Sequence, residues 1–262
     1  MYSAMLRIPP FRITTSLDVL RYIVIDDSVR PSGFIFHIGR CGSTLLAKAL
    51  ARSRMNIVFG EAAPHNLFWK LMPRLGGEAI DLYRRLVLAM GRPRLPSYRS
   101  HFIKFSSWNI LQFATIRAAF PDTPALFLFR QPSAVLASSQ REAQPWLGVD
   151  VGLGRIWTDA AAATLDLGNA ALAIRDSHFR CLDYAAITPG NLRSILRFFQ
   201  VESPPPGELA LMQSEFFWDS KSGRVPQPFA PRETPPIYTD PLLTEVYCSL
   251  VERSQTDWGQ QL

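Results

Sequence analysis

Gly33-Phe34-Ile35-Phe36-His37-Ile38-Gly39-Arg40-Cys41-Gly42-Ser43-Thr44-Leu45-Leu46 is the stretch on which the fold turns. Phe34, Ile35, Phe36 and Ile38 make an apolar run of strand length. Gly39 and Gly42 then interrupt it with residues that tolerate φ > 0 and close approach by a ligand. Ser43 and Thr44 open a helical pattern, where the first N–H groups have no carbonyl to bond. Strand, glycine loop and helix N-terminus together form a cradle for phosphate or sulfate, and Arg40 adds positive charge. The G-x-x-x-x-G-K-[ST] spacing of an ATP-type loop and its lysine are missing, which points away from ordinary kinases. Read without a ligand, the same residues are a tight strand-to-helix turn with a Ser-Thr cap.

A second stretch has the same grammar. Leu126–Phe129 read as a short buried strand, Arg130 stands at its carboxyl end, and Pro132 suits the first turn of a helix. Ser138 lies about two helical turns further on. Arg130 and Ser138 meet on one phosphate only if that helix turns back across the ligand.

These residues resemble the sulfotransferases that use PAPS (3′-phosphoadenosine 5′-phosphosulfate). Gly39-Arg40-Cys41-Gly42-Ser43-Thr44-Leu45-Leu46 is similar to their 5′-phosphosulfate loop. Arg130-Gln131-Pro132 with Ser138 is similar to their 3′-phosphate motif. His101–Pro121 resembles the family's lysine-bearing strand and the helix ending in Phe-Pro. Asp183-Tyr184 followed by Leu196–Val201 resembles a later strand end and helix. The likeness spans roughly residues 33–201. Gln131 replaces the usual aspartate, Cys41 the usual serine, and Ala185-Ala186 an acidic pair. After Lys104 come Phe105, Ser106 and Ser107, so the histidine of the cytosolic members is missing and a base must come from elsewhere. The loop arginine is that of the tyrosylprotein and many bacterial members.

The resemblance implies roles for named residues. Gly39, Arg40, Cys41, Gly42, Ser43, Thr44 and Leu45 would hold the 5′-phosphosulfate, and Arg130 and Ser138 the 3′-phosphate. Arg40 would also stabilise charge on the oxygen between phosphate and the departing sulfuryl group. Glu61, just past a predicted strand end, is the candidate base, matching a glutamate offset in the tyrosylprotein branch; alternatively it caps a helix or pairs with an arginine. His65 is the reserve. Lys104 would approach the sulfuryl oxygens or else cap the sheet edge. Lys221, Gly223 and Arg224 loosely match a late basic loop, and otherwise are solvated charges. Trp108 and Trp218 are platforms for adenine or acceptor, or core residues. Cys41, at a helix N-terminus beside Arg40, is expected to have a lowered pKa.

Length and composition agree with one α/β domain. The 262 residues are 47% hydrophobic and 19% charged, with net charge +6 and 24 Arg against 4 Lys. Arginine forks suit phosphate and sulfate oxygens, although base composition alone produces such a bias. No zinc spacing, aromatic RNA-binding motif or basic run supports nucleic-acid binding. Three cysteines and four histidines lack disulfide or metal spacing. Pro9, Pro10 and Arg12 stand where a signal sequence needs an apolar run, and no stretch reaches membrane-spanning length, so a cytoplasmic protein is expected.

Strands are predicted at 34–38, 56–59, 102–105, 126–129 and 179–182, and helices near 16–25, with Ser16 as N-cap, 43–54, 77–90, 109–119, 133–143, 152–175 and 189–199. This alternation predicts a P-loop-NTPase-like parallel sheet with helices on both faces and its ligand at the strands' carboxyl ends. Residues 1–32 read as an extension, 33–201 as the α/β core, and 202–262 as a proline-rich loop, with one helical turn near 209–216, then a C-terminal helix at 241–253. The expected function is sulfuryl transfer from PAPS to an acceptor hydroxyl, less readily an amine, leaving 3′,5′-ADP and requiring no metal. Rival readings are a non-catalytic nucleotide-binding relative and an ATP-dependent phosphotransferase. The acceptor (small molecule, carbohydrate or peptide) would be chosen by loops 61–100, 144–155 and 203–240.

Overall fold

A computed structural model describes residues 16–202, 204–219, 227–228 and 240–262. In chain order its elements are α1 (Val19–Tyr22), β1 (Pro31–His37), α2 (Ser43–Arg52), β2 (Asn56–Gly60), α3 (Ala63–Leu71), α4 (Ala79–Met90), β3 (Ser100–Lys104) and α5 (Phe113–Ala119). Then follow β4 (Ala125–Phe129), α6 (Pro132–Arg141), α7 (Ala160–Ala173), β5 (Phe179–Asp183), α8 (Leu192–Phe198), α9 (Pro206–Ser214) and α10 (Pro241–Trp258).

The five strands form one sheet in the order β2-β3-β1-β4-β5, every pair parallel. Every residue of β3 and β4 is buried. A strand buried on both faces has no polar side to alternate with, which is why these segments read as continuous apolar runs. Phe34 and Phe36 pack on Phe105 at ring distances of 5.4 and 4.7 Å. Rings buried in this way each contribute about 2–3 kcal/mol. The core is continuous from Leu20 to Trp258. α2 lies along β1, β2 and β3 with α9 behind it, and α10 lies along β5 beside α7.

The central strand decides where a ligand sits. The chain runs from β1 out to β2, returns to β3, and then crosses β1 to reach β4. In open parallel sheets ligands bind outside the strands' carboxyl ends at such a reversal, and the glycine loop lies at the carboxyl end of β1.

Several elements differ from the sequence expectation. α3 falls where no helix is predicted. Its buried stripe is His65, Phe68 and Trp69, at helical spacing but with a histidine in it, and Pro64 sits in its first turn, where proline is tolerated. The long helix expected over 152–175 shortens to α7, because Gly152 and Gly154 have φ of 83° and 66°. Asp159 caps α7 by accepting the Ala162 N–H at 2.8 Å. α1 is only four residues long, with Asp18 and not Ser16 at its N-cap. Residues 107–112 form a 3₁₀ turn ahead of α5. In the proline-rich region α9 runs nine residues from Pro206, burying Leu209 and Met212. α10 extends beyond 253 to Trp258. No helix of the described residues is long and apolar enough to cross a membrane.

Candidate functional site

All five strands deliver a residue to the same edge. Glu61 follows β2, Lys104 ends β3, the loop 38–42 follows β1, Arg130 follows β4, and Tyr184 follows β5. Parallel strands bring their carboxyl ends together, so residues far apart in the chain become neighbours.

Within the loop, Gly39 and Gly42 have φ of 85° and 79°, as their glycines anticipate. The groups that crowd them belong to the protein. A Cβ at Gly42 would meet the Tyr184 ring at 2.7 Å, and one at Gly39 would meet Gln144 Oε1 at 2.4 Å. Arg40 between them is itself left-handed, with φ of 53°, and Glu61 has φ of 50°. Gln200 is the only other such non-glycine among the described residues. Non-glycine residues held there at a cost of about 1 kcal/mol or more gather at functional positions.

Arg40 joins the glycine loop to the segment after β4. Its Nε donates to Ser138 Oγ at 3.0 Å and its Nη2 to the Ser138 carbonyl at 2.8 Å. The same Nη2 also pairs with Glu142 Oε2 at 2.9 Å. Arg130 Nη1 donates to the Arg40 carbonyl at 3.3 Å, and its guanidinium lies over the Tyr184 ring, 4.3 Å from the centroid. Among the described residues Arg130 pairs with no carboxylate, so its fork keeps donors for an anion. Ser43 is buried and Thr44 half-buried at the start of α2, where the helix supplies its unpaired N–H groups; Leu45 follows in the same turn. Gly39 differs: its N–H donates to His37 Nδ1 at 3.0 Å and faces inward.

On the other side of the loop Lys104, 5% exposed, forms an ion pair with Glu61. The Glu61 N–H also bonds the Lys104 carbonyl at 2.7 Å. Desolvation by the strand ends pushes the Glu61 carboxyl up. With 45% of the side chain exposed, that push is outweighed by the neighbouring His37 imidazole and the Lys104 ammonium, which hold it well below the usual carboxylate range. His37 Nε2 lies 3.6 Å from Glu61. Burial, then the neighbouring Lys104, lower the His37 pKa, so the lysine supplies the charge in this cluster. The Glu61 carboxylate is therefore ionised but weakly basic while paired. Its partner is a lysine, not an arginine, and it precedes α3 without entering its first turn.

Other expectations are corrected. The Cys41 thiol is fully buried and directed at the Leu128 carbonyl 3.3 Å away; burial pushes its pKa up to about 11, not down. Cys41 therefore belongs to the packing beneath the loop. His65 lies in the core, 1% exposed, with Nδ1 3.1 Å from the Tyr83 hydroxyl and its pKa lowered to about 3 by burial. It faces no opening and is not a reserve base. Trp108 is half-buried against Trp146, with ring centroids 5.5 Å apart. Trp218 is 37% exposed and bridges to Pro228, among residues distant in sequence from the loop. Lys221, Gly223 and Arg224 lie outside the described residues.

Sequence reasoning passed over His37, Glu142, Gln144 and the Tyr184 platform. Two of them left a trace. Glu142 stands four residues after Ser138, the spacing of one helix face. His37 is a polar residue inside an apolar strand, directly before the loop.

The solved sulfotransferase domain from the curacin biosynthetic pathway has the same architecture, with a TM-score of 0.54 at 14% identity over 86% of this chain and 99% of its own. The fold is that of a sulfotransferase domain. Two further sulfotransferase structures are similar at lower scores. That from Alicyclobacillus acidocaldarius covers 87% of this chain and 95% of its own, at 16% identity and TM-score 0.47. The domain from the Synechococcus PCC 7002 olefin synthase covers 88% and 95%, at 16% identity and TM-score 0.46. No protein-family model matches the sequence, and no curated protein does. At such identity the sulfotransferase likeness is one of fold, and chemistry must be argued from the site.

Proposed function

We propose that this protein transfers a sulfuryl group from PAPS to an acceptor hydroxyl. The observation that carries the reading is the bond from Arg40 to Ser138, with Arg130 on the Arg40 carbonyl: contacts across 98 and 90 residues of chain bring the two candidate anion motifs together. A donor with a phosphosulfate at one end and a separate phosphate at the other needs both motifs close together. A single phosphate would be served by the loop alone.

In the proposed reaction the 5′-phosphate rests on the first turn of α2 and the Ser43 and Thr44 hydroxyls, and Arg130 and Ser138 receive the 3′-phosphate. The acceptor oxygen attacks sulfur, the bond from sulfur to the bridging phosphate oxygen breaks, and 3′,5′-ADP leaves. Arg40 and Lys104 neutralise the charge gathering on the departing oxygen and the sulfuryl oxygens, a task of positioning and electrostatics that needs no metal. Glu61 takes the acceptor proton. Since pairing with Lys104 weakens it as a base, the lysine's move toward the incoming sulfuryl group also releases the carboxylate, raising its basicity as the acceptor arrives.

Calorimetric titration with 3′,5′-ADP, with 5′-ADP and ATP–Mg²⁺ as controls, tests the reading. Micromolar affinity for 3′,5′-ADP alone is expected. Preference for ATP–Mg²⁺ would overturn it in favour of phosphoryl transfer. In a screen of acceptors, Glu61→Gln is expected to bind 3′,5′-ADP normally and to turn over roughly 10²-fold more slowly. Unchanged turnover would assign the base elsewhere.

A further inference from the structure

Resting on the sulfuryl-transfer reading, we propose that His37 is a positioning residue of the site, one that fixes the anion loop against the lysine-bearing strand with its proton on Nε2. His37 ends β1, directly before the loop, and is 3% exposed. The tautomer follows from its partners. The Gly39 N–H can only donate, and it points at Nδ1 from 3.0 Å, so that nitrogen must offer its lone pair. The Ser107 hydroxyl, 3.1 Å away, donates to the same nitrogen. The proton therefore sits on Nε2, which donates to the Phe105 carbonyl at 2.9 Å.

One imidazole thus ties together three segments: the loop at Gly39, the residue after Lys104, and the 3₁₀ turn carrying Ser107. Two consequences follow for the reaction. Gly39's N–H is held inward, which aims the remaining loop outward and leaves the anion to the N–H groups of α2's first turn. The carbonyl of Phe105 is held at a set distance from the loop, which fixes the backbone at the end of β3 and leaves the Lys104 side chain free to swing. A second proton, on Nδ1, would face the Gly39 N–H directly and break this clamp. The titratable groups facing the imidazole are Lys104 and Glu61; burial and the lysine oppose that second proton.

Two experiments test the proposal. The ¹⁵N signals of the His37 imidazole, recorded in the full wild-type chain from pH 5 to pH 8, should report an unprotonated Nδ1 and a protonated Nε2 throughout. The opposite tautomer, or titration within that range, would overturn the assignment whatever nucleotide the protein prefers. Next, His37→Asn and His37→Gln are titrated with 3′,5′-ADP. Asparagine places an oxygen where Nδ1 was and can still accept the Gly39 N–H, so affinity should stay within about threefold of wild type. Glutamine reaches the Nε2 position but leaves the Gly39 N–H without an acceptor, and affinity should fall about ten- to hundredfold. Equal affinities for the two variants would overturn the proposal. If wild type itself fails to bind 3′,5′-ADP, the sulfuryl-transfer reading fails, and the imidazole signals still decide the clamp. They also decide it if His37→Gln does not fold.

Discussion

The two flanks of the Gly39–Gly42 loop are built differently. On the β2–β3 side the charges are already paired: Lys104 holds Glu61, and the elements beneath are packed on the buried histidines His65 and His101. On the β4–β5 side two guanidiniums dominate. Arg130 lies on an aromatic ring with donors to spare, and Arg40 is held by a serine and one exposed carboxylate. The first flank is internally neutral, with Lys104 buried and Glu61 half-exposed, suited to chemistry that must be uncovered. The second presents net positive charge, suited to gripping an anion. On the sulfuryl-transfer reading proposed above, grip and chemistry would be divided between the two halves of one sheet.

The largest test of this division is acid. His65 and His101 are buried, with pKa values lowered to about 3 and about 4, mainly by desolvation. Unfolding lets each take up a proton at its ordinary pKa of about 6.5. The unfolded state then binds more protons, so stability is full above that pH and falls as pH drops toward the folded values. The loss is about 2 kcal/mol per histidine by pH 5. Denaturant melts at pH 7 and pH 5 should differ by about 4 kcal/mol, with the amides of β2 and β3 exchanging before those of β4 and β5. Uniform exchange would erase the distinction between the flanks.

Replacing Arg40 probes the boundary between them. Arg40→Ala should lower turnover about 10²- to 10³-fold while changing 3′,5′-ADP affinity far less. Loss of affinity with intact turnover would place Arg40 wholly in the gripping half. Arg130→Ala is the complementary change. It should weaken 3′,5′-ADP about ten- to hundredfold in calorimetry and weaken 5′-ADP far less, because on this reading the fork grips the second phosphate and touches the loop only through the Arg40 carbonyl. The smallest effect belongs to Glu142, whose carboxylate occupies Arg40 at an exposed position. Glu142→Gln removes a competitor worth less than about 1 kcal/mol, so 3′,5′-ADP should bind about threefold more tightly, most visibly at low salt. Weaker binding would make Glu142 a support for Arg40 and not its competitor.

The segments that read clearly are those whose signal is local. All five strands lie within three residues of their predicted starts, since an apolar run bounded by turn residues is a property of a few neighbours. α3 was hidden by the histidine in its buried stripe, and α9 by prolines that serve only to start it. Glu61 and Lys104 are readable singly, as polar residues at strand ends. That they neutralise each other is not, because 43 residues separate them and only the adjacency of β2 and β3 brings them together.

The sequence by itself determined the strand–loop–helix unit at residues 33–50, the alternation that makes a parallel sheet, and the left-handed backbone at Gly39 and Gly42. Each of these is written in short-range sterics and periodicity. Tertiary structure decided the rest: that Arg40 reaches Ser138, that Cys41's thiol is buried, that His65 is core and that His37 accepts the Gly39 N–H. Those facts depend on the strand order β2-β3-β1-β4-β5, and no local pattern encodes which strand lies beside which. A residue's charge can be read from its letter, but its pKa and partner are set by what the sheet places next to it.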